Sequence, residues 1–432
     1  MKTAKKEKAV FFFLLFCLPV LSSCAQYSSM ELYQSGFLKR AQTKTNGMVQ
    51  VTAVVPTREE SARLFGRFVS ETGVQPVWIR IRNNEQVPYW LFAVSIDPMY
   101  FSPHEAARKN HFFLGGFSNE KMDSVFRKRA IYPYISPGET VAGFVYTRLD
   151  QGVKTFTVDL KSPGRKGKSF FFYFELPGFQ ADSPGLEFRP KYKEAEVVNL
   201  ESLAQLRKWI EGLPPSVFGK DGVSHADPMN LVLVGRVDDI MPAFTMRGWK
   251  PAESAHFSAV WKTIKSFVFG SQYRYSPFSP QYLYGRKQDL ALQKARETIN
   301  ERNHLRLWFA PARFKGLPIL VGQISRDIGV KLTGRISPLT THVIDPEVDE
   351  ARWYLEQDLV MSQRVYMLGL CKGVGYSSKL HPRLNMQGEP YYTDGLRLVL
   401  FFTDRPISFD EIRVLDWETP KDVRYLHKDV EP

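Results

Sequence analysis

The sequence predicts a chain of two modules, an antiparallel β-sandwich followed by an α+β domain. Three observations carry this. Period-two apolar alternation dominates from Val49 to about residue 180, helical spacing mixes with β-runs from Asn199 onward, and a polar stretch at 181–198 with Pro184, Gly185 and Pro190 separates them. At 432 residues the chain is long enough for two or three domains of roughly 100–200 residues. Hydrophobic residues at 44% and charged residues at 24% exclude wholesale disorder and a many-pass membrane protein. Aromatics at 14% favour half-buried strands, where flat rings pack on a pleated surface. A net charge of +13 suits nucleic acid, an anionic membrane or an envelope polymer equally.

The N-terminus chooses among these. Four lysines within residues 1–8 precede an apolar run from Ala9 to Leu21. At 1.5 Å per residue that run is too short to cross ~30 Å of hydrocarbon, so 1–23 reads as a signal peptide. Leu21-Ser22-Ser23-Cys24 then resembles a bacterial lipobox. The resemblance implies acylation of Cys24, which becomes the mature N-terminus and carries three acyl chains, enough for firm anchoring. Ala25 rather than Asp after the cysteine implies delivery to the outer membrane, with the periplasmic face as the expected side. Removing 1–23 deletes four lysines and one glutamate and leaves +10. Cys17 goes with the leader, so Cys371 has no cysteine to pair with within the chain. An exported protein has no call on nucleic acid, and the basic balance is assigned to an anionic envelope component or a membrane-protein partner.

Residues 24–48 read as a tether and 49–180 as the sandwich. Val77, Ile79 and Ile81 share one strand face while Arg80 and Arg82 share the other; Phe156, Val158 and Leu160 repeat the pattern. Tyr89–Asp97 reads as a strand, Ser102-Pro103-His104-Glu105 as a capping box opening a helical insertion, and Ser136-Pro137-Gly138-Glu139 as a turn before a strand at 141–149. Ser169–Pro177 is a Phe-rich run of strand length. Together these look like the immunoglobulin-like modules of bacterial envelope lipoproteins, interrupted by helices. Arg108-Lys109 and Arg127-Lys128-Arg129 read as a solvated basic face, with an anion-binding patch as the alternative.

The second module is expected over 199–432. Leu200, Leu203, Leu206 and Ile210 stand at helical spacing behind Asn199 as cap; 230–237 is a strand; Asp238 caps a helix ending at Gly248; a third helix spans 254–267. The most distinctive words follow: His304-Leu305-Arg306-Leu307-Trp308, Val321-Gly322-Gln323-Ile324-Ser325-Arg326-Asp327, and His342-Val343-Ile344-Asp345-Pro346-Glu347-Val348-Asp349. With Asn230–Gly235, Gly248-Trp249, Gly285-Arg286, Gln288-Asp289-Leu290 and Tyr392-Thr393-Asp394-Gly395, they resemble the LssY carboxy-terminal domain family over about residues 200–405. The resemblance implies no single reaction, although some members are fused to a phosphatidic-acid-phosphatase-like module.

Period two places His304, Arg306 and Trp308 on one strand face, and a turn at Lys315-Gly316-Leu317-Pro318 would fold the strand at 319–324 back beside them. Three readings of the polar residues follow. In the first, His304, Asp327 and His342 are catalytic and His304, His342, Asp345 and Asp349 supply ligands for Zn²⁺ or Mn²⁺, making a metal-dependent hydrolase of phosphoesters or other anionic substrates. In the second, Arg306, Arg326 and Trp308 bind an anionic group without metal. In the third, Asp345 caps a helix on Pro346 and Asp349 pairs with Arg352 on a helix surface, with no ligand. Cys371, Ser377, Ser378 and Lys379 lack a nucleophile signature. The expected function is a lipid-anchored binding or assembly component of the envelope, with the hydrolase as the alternative.

Overall fold

The structure is a computed structural model that describes residues 29, 36–113, 116–150, 152–163, 166–176, 192–252, 280–295, 301–332 and 340–420. Side chains at 301, 329–332 and 340–343 lie outside the description. It is mostly antiparallel sheet with few helices, and it divides into two compact units, 1–88 with 96–149 and 89–95 with 150–432. Cys24, the leader and the helix expected at 254–267 lie outside the described residues. Among the described residues no helix is long and apolar enough to cross a membrane.

The first unit holds strands β1 (Gln42–Asn46), β2 (Val49–Val54), β3 (Val74–Asn83) and β5 (Thr140–Arg148), numbering strands of four or more residues through the chain. They form one antiparallel sheet in the order β1, β2, β3, β5. β1 therefore falls inside the stretch expected as tether. Helix α1 (Arg58–Phe65) starts from a Thr57 and Glu60 capping box. The short α2 (Pro103–Arg108) starts from the expected box of Ser102 and Glu105, with Pro103 in the first helical position where its missing N–H costs nothing. These and α3 (Gly116–Arg129) supply Phe65, Ala106, Met122 and Phe126 to a core shared with Phe37, Trp78, Phe144 and Tyr146. The Phe65 and Phe126 ring centroids stand 4.7 Å apart.

The second unit contains β4 (Tyr89–Phe92), β6 (Val153–Lys161) and β7 (Lys168–Glu175), paired in that order. β4, β6 and β7, three of the strands within the module expected over 49–180, group with the second unit. The physical reason is the β7 side chain Phe171, which buries in the same cluster as Ile240, Met241 and Phe244 of α5 (Val237–Met246). The central sheet of this unit runs β10 (Leu290–Ala295), β11 (Glu301–Phe314), β12 (Leu317–Leu332), β9 (Leu231–Val234), β15 (Leu396–Phe402) and β14 (Val365–Lys372), with Lys250–Pro251 and Arg413–Val414 at its ends. β13 (Thr340–Ile344) pairs with the far end of β12, and β8 (His225–Pro228) belongs to a smaller sheet. β9 and β15 run parallel, while the neighbours of β12 are antiparallel to it.

Alternation sorts the central sheet's side chains. Leu292, Leu305, Leu307, Ile324 and Leu400 face α5 and α6 (Val348–Val360), whereas Trp308, Val321, Val399 and Phe401 face α4 (Leu203–Glu211). α4 is capped by Ser202, three residues beyond the expected Asn199, because Ser202 accepts from the Gln205 N–H. α5 is preceded by Arg236, and Asp238 sits in its first turn instead of capping it.

One ion cluster gives a pH test. Lys250 and Lys154 place their Nζ atoms 2.5 and 2.9 Å from the Asp150 carboxylate. Burial alone would push Asp150 up, but the two ammonium charges outweigh it and bring it from 3.8 down to about 2. A carboxyl lowered on folding stabilises above its unfolded value and stops doing so as pH falls through its folded value. Asp150→Asn should therefore cost about 1–2 kcal/mol near pH 7, and in a series of urea titrations the gap to wild type should close between about pH 4 and about pH 2.

Candidate functional site

The site begins with a long hairpin. β11 and β12 are joined at Lys315 and Gly316, both with positive φ (47° and 78°), the pairing that lets a two-residue turn follow the twist of its strands. The register sets Arg302 opposite Asp327, His304 opposite Ser325, and Arg306 opposite Gln323, while on the other side of β11 Gln293 stands opposite His304. Parity puts all seven on the sheet face that also carries Trp308 and Val321. Near the turn this face is apolar and covered by α4; two pleats further on it becomes polar, yet it stays buried. Arg302, His304 and Arg306 are 3–5% exposed, and Gln293, Gln323, Ser325 and Asp327 no more than 2%.

Within this row Arg302 donates through Nε to Asp327 Oδ2 at 2.9 Å and through Nη1 to Gln293 Oε1 at 2.8 Å. His304 Nδ1 lies 3.4 Å from Asp327 Oδ1, and its Nε2 lies 3.3 Å from Ser325 Oγ. Ser325 Oγ donates to Gln323 Oε1 at 2.9 Å. Arg306 Nη1 stands 3.7 Å from Asp227 Oδ2 of β8, which also accepts from Gln281 Nε2 at 2.7 Å. Among the described residues Gln293 Nε2, Gln323 Nε2 and Gln281 Oε1 meet no hydrogen-bond partner. Buried polar atoms are nearly always paired, so two unmet amide atoms in the row and a third on Gln281, which bonds the Asp227 carboxylate near Arg306, mark it as chemically unfinished.

The other predicted residues go elsewhere. Trp308 shares the face of His304 but lies in its apolar part, where its Nε1 donates to the Arg286 carbonyl at 3.2 Å. Arg326 neighbours Asp327 on the same strand and so points through the opposite face. There it donates to Asn303 Oδ1 at 3.1 Å and the Glu350 carbonyl at 3.2 Å, and lies 5.7 Å over the Tyr354 ring. Arg306 and Arg326 therefore do not form one clamp. His342 is in β13 opposite Val330, and its side chain lies outside the described residues. Asp345 accepts from the Glu347 N–H at 3.1 Å; α6 begins only at Val348, so the expected cap is not formed.

Asp349 is not on a surface. It accepts from Thr393 Oγ1 at 2.8 Å and the Asp394 N–H at 2.7 Å, and Arg352 Nη1 is 3.2 Å away. Asp345 and Asp349 are thus engaged in local backbone and ion-pair contacts. Among the described residues no group of three or more His, Cys, Asp or Glu is arranged to hold a metal ion. Cys371 is buried, and burial pushes its thiol up to about 12, which leaves it without thiolate at neutral pH.

Sequence reasoning missed Arg302, Gln293, Asp227 and Gln281, and quoted Gln323 and Ser325 only as parts of a word. Gln323, Ser325 and Asp327 alternate along a strand already assigned, and that spacing was the available signal. What fold and site define together is a largely antiparallel unit with helices on both faces and a buried polar row across its central hairpin. Residues 214–396 match the family model described as the LssY C-terminus, within the span of the resemblance read from the motif words. No curated protein matches the chain.

Proposed function

We propose that the protein is a lipid-anchored component of the bacterial envelope, held at the outer membrane by acylated Cys24, whose second unit is a binding module for a small polar ligand with an anionic group. The polar row carries this reading. Burying two guanidinium groups, an imidazole and three glutamines costs solvation that a stable core has no need to spend, and the unmet amide atoms are the donors and acceptors a ligand would complete. Arg302, Arg306 and His304 favour a carboxylate or phosphate group over a neutral one.

The test uses the full chain purified in detergent, with inorganic phosphate as probe. Its melting temperature should rise with phosphate, and Arg306→Gln should abolish the rise while leaving a cooperative transition. Equal responses of wild type and variant to phosphate would remove this row as the site. For the anchor, Cys24→Ser should accumulate as an unprocessed precursor; a mature-sized, membrane-retained product would contradict acylation.

A further inference from the structure

Three side chains of the polar row stand in an order with chemistry of its own. Ser325 Oγ lies 3.3 Å from one nitrogen of the His304 ring, and Asp327 Oδ1 lies 3.4 Å from the other. The strand pairing produces this arrangement. Ser325 and Asp327 are two residues apart on β12 and point the same way, and His304 sits directly across from Ser325 on β11, so the imidazole bridges hydroxyl and carboxylate. Arg302 Nε holds the second Asp327 oxygen at 2.9 Å and fixes the carboxylate's orientation. Hydroxyl on one ring nitrogen and carboxylate on the other is the division of roles in which the imidazole takes the hydroxyl proton and the carboxylate holds the tautomer. Both distances exceed a closed hydrogen bond, as is common before substrate arrives. Gln323 accepts from Ser325 through Oε1 at 2.9 Å, and its Nε2 meets no partner among the described residues. A side-chain amide there is a donor for a developing oxyanion.

We propose that Ser325 is a nucleophile, with His304 as its base and Asp327 as the orienting carboxylate, and that the row cleaves an acyl ester. The proposal rests on the row being a ligand site. In the first step the Ser325 hydroxyl turns from Gln323 Oε1 toward His304, the Oγ to carbonyl carbon bond forms as the proton passes to His304 Nε2, and Gln323 Nε2 donates to the carbonyl oxygen as it becomes negative. The ester C–O bond then breaks, and the leaving alkoxide takes the proton from His304. Water repeats the sequence: it gives a proton to His304, its oxygen joins the acyl carbon, and the acyl bond to Ser325 breaks as His304 passes that proton to Ser325 Oγ, releasing a carboxylic acid and restoring the serine.

The experiment treats the full chain with phenylmethylsulfonyl fluoride and maps the product by peptide mass spectrometry. Attack on sulfur expels fluoride, and the Ser325 peptide should gain one sulfonyl group. His304→Gln should slow that labelling by at least about a hundredfold, the scale of a general base. Because the first readout needs no variant, a misfolded His304→Gln protein leaves it intact. Ser325 unlabelled in folded wild type, or labelled at the same rate in His304→Gln, overturns the proposal. If Ser325 stays unlabelled while phosphate still raises the melting temperature, the nucleophile fails and the binding site stands; loss of both responses removes the site itself.

Discussion

Arg352→Met should lower stability by about 3–5 kcal/mol, read as a fall in the urea midpoint at unchanged slope. Arg352 is wholly buried and donates to both oxygens of Asp394 at 2.8 and 2.7 Å and to the Leu396 carbonyl at 2.7 Å. Asp349 completes the cluster, and the Thr393 hydroxyl and the Asp394 N–H bind it in turn. The network ties α6 to the loop before β15. Removing the guanidinium leaves two carboxylates facing one another without water, which is far worse than never having buried the trio. The pH dependence has a definite sign. Burial, with Asp394 nearby, already holds the Asp349 carboxyl above its ordinary range against the pull of Arg352. A carboxyl raised on folding binds its proton more tightly in the native state, so it favours folding at low pH and ceases to as pH rises through its folded value. Without Arg352 the carboxyl rises further, and the deficit of the variant should shrink as pH is lowered from neutrality toward 5. Adding Asp394→Asn to Arg352→Met should recover part of the loss at pH 7. A midpoint that is unchanged, or a deficit that widens on acidification, would show that the cluster does not hold α6 in place.

That cluster also shows where local sequence stops being informative. Asp349 and Arg352 are three apart on a helix, and spacing alone made them a surface pair. Their depth comes from Asp394, 42 residues beyond Arg352. The same limit applies to Phe171, whose strand was readable from its aromatic run but whose unit was decided by α5, about 70 residues on. What depended on parity was accessible: His304 and Arg306 share a face, the turn at Lys315 and Gly316 closes their hairpin, and the register brings Asp327 to the His304 side. Parity also forbids Arg326 from joining Asp327, since neighbours on an unbroken strand point oppositely. Several motif words carry structure rather than chemistry. Trp249 Nε1 donates to Asp358 at 2.9 Å, Arg286 pairs with Asp289 at 2.8 Å, and Asn230 bonds both backbone groups of Ile324. A distinctive word therefore locates a constraint without saying whether it serves packing or a ligand.

Arg397 makes the second large prediction, because it is buried with carbonyls instead of carboxylates. Its Nε donates to the Met229 carbonyl at 2.9 Å, its Nη2 to those of Leu213, Pro214 and Gly373 at 3.0, 2.7 and 2.9 Å, and its Nη1 to that of Ile210. Three of these carbonyls lie at or just beyond the C-terminus of α4, where the helix leaves acceptors unmet and carries partial negative charge. Burial lowers the guanidinium from 12.5 to about 10, so it is still charged at neutral pH. Arg397→Met should cost on the order of 3 kcal/mol, the stranded carbonyls outweighing the relief of a buried cation. Arg397→Lys should rescue little, since one ammonium with three protons cannot reach five acceptors spread around a planar fork. Gly373→Ala should give a similar loss by another route, because an ideal Cβ there would lie 2.2 Å from Arg397 Nη1. Cys371 supplies the local readout: it lies beneath α4, its Sγ 3.8 Å from the Arg207 carbonyl. In wild type its buried thiol, pushed up to about 12, should resist alkylation. In Arg397→Met a frayed α4 should raise labelling of the Cys371 peptide by at least about tenfold, as local opening grows more frequent. Unchanged protection of Cys371 in a variant with a wild-type midpoint would mean that the carbonyls find other donors and that Arg397 is not what closes this end of the helix.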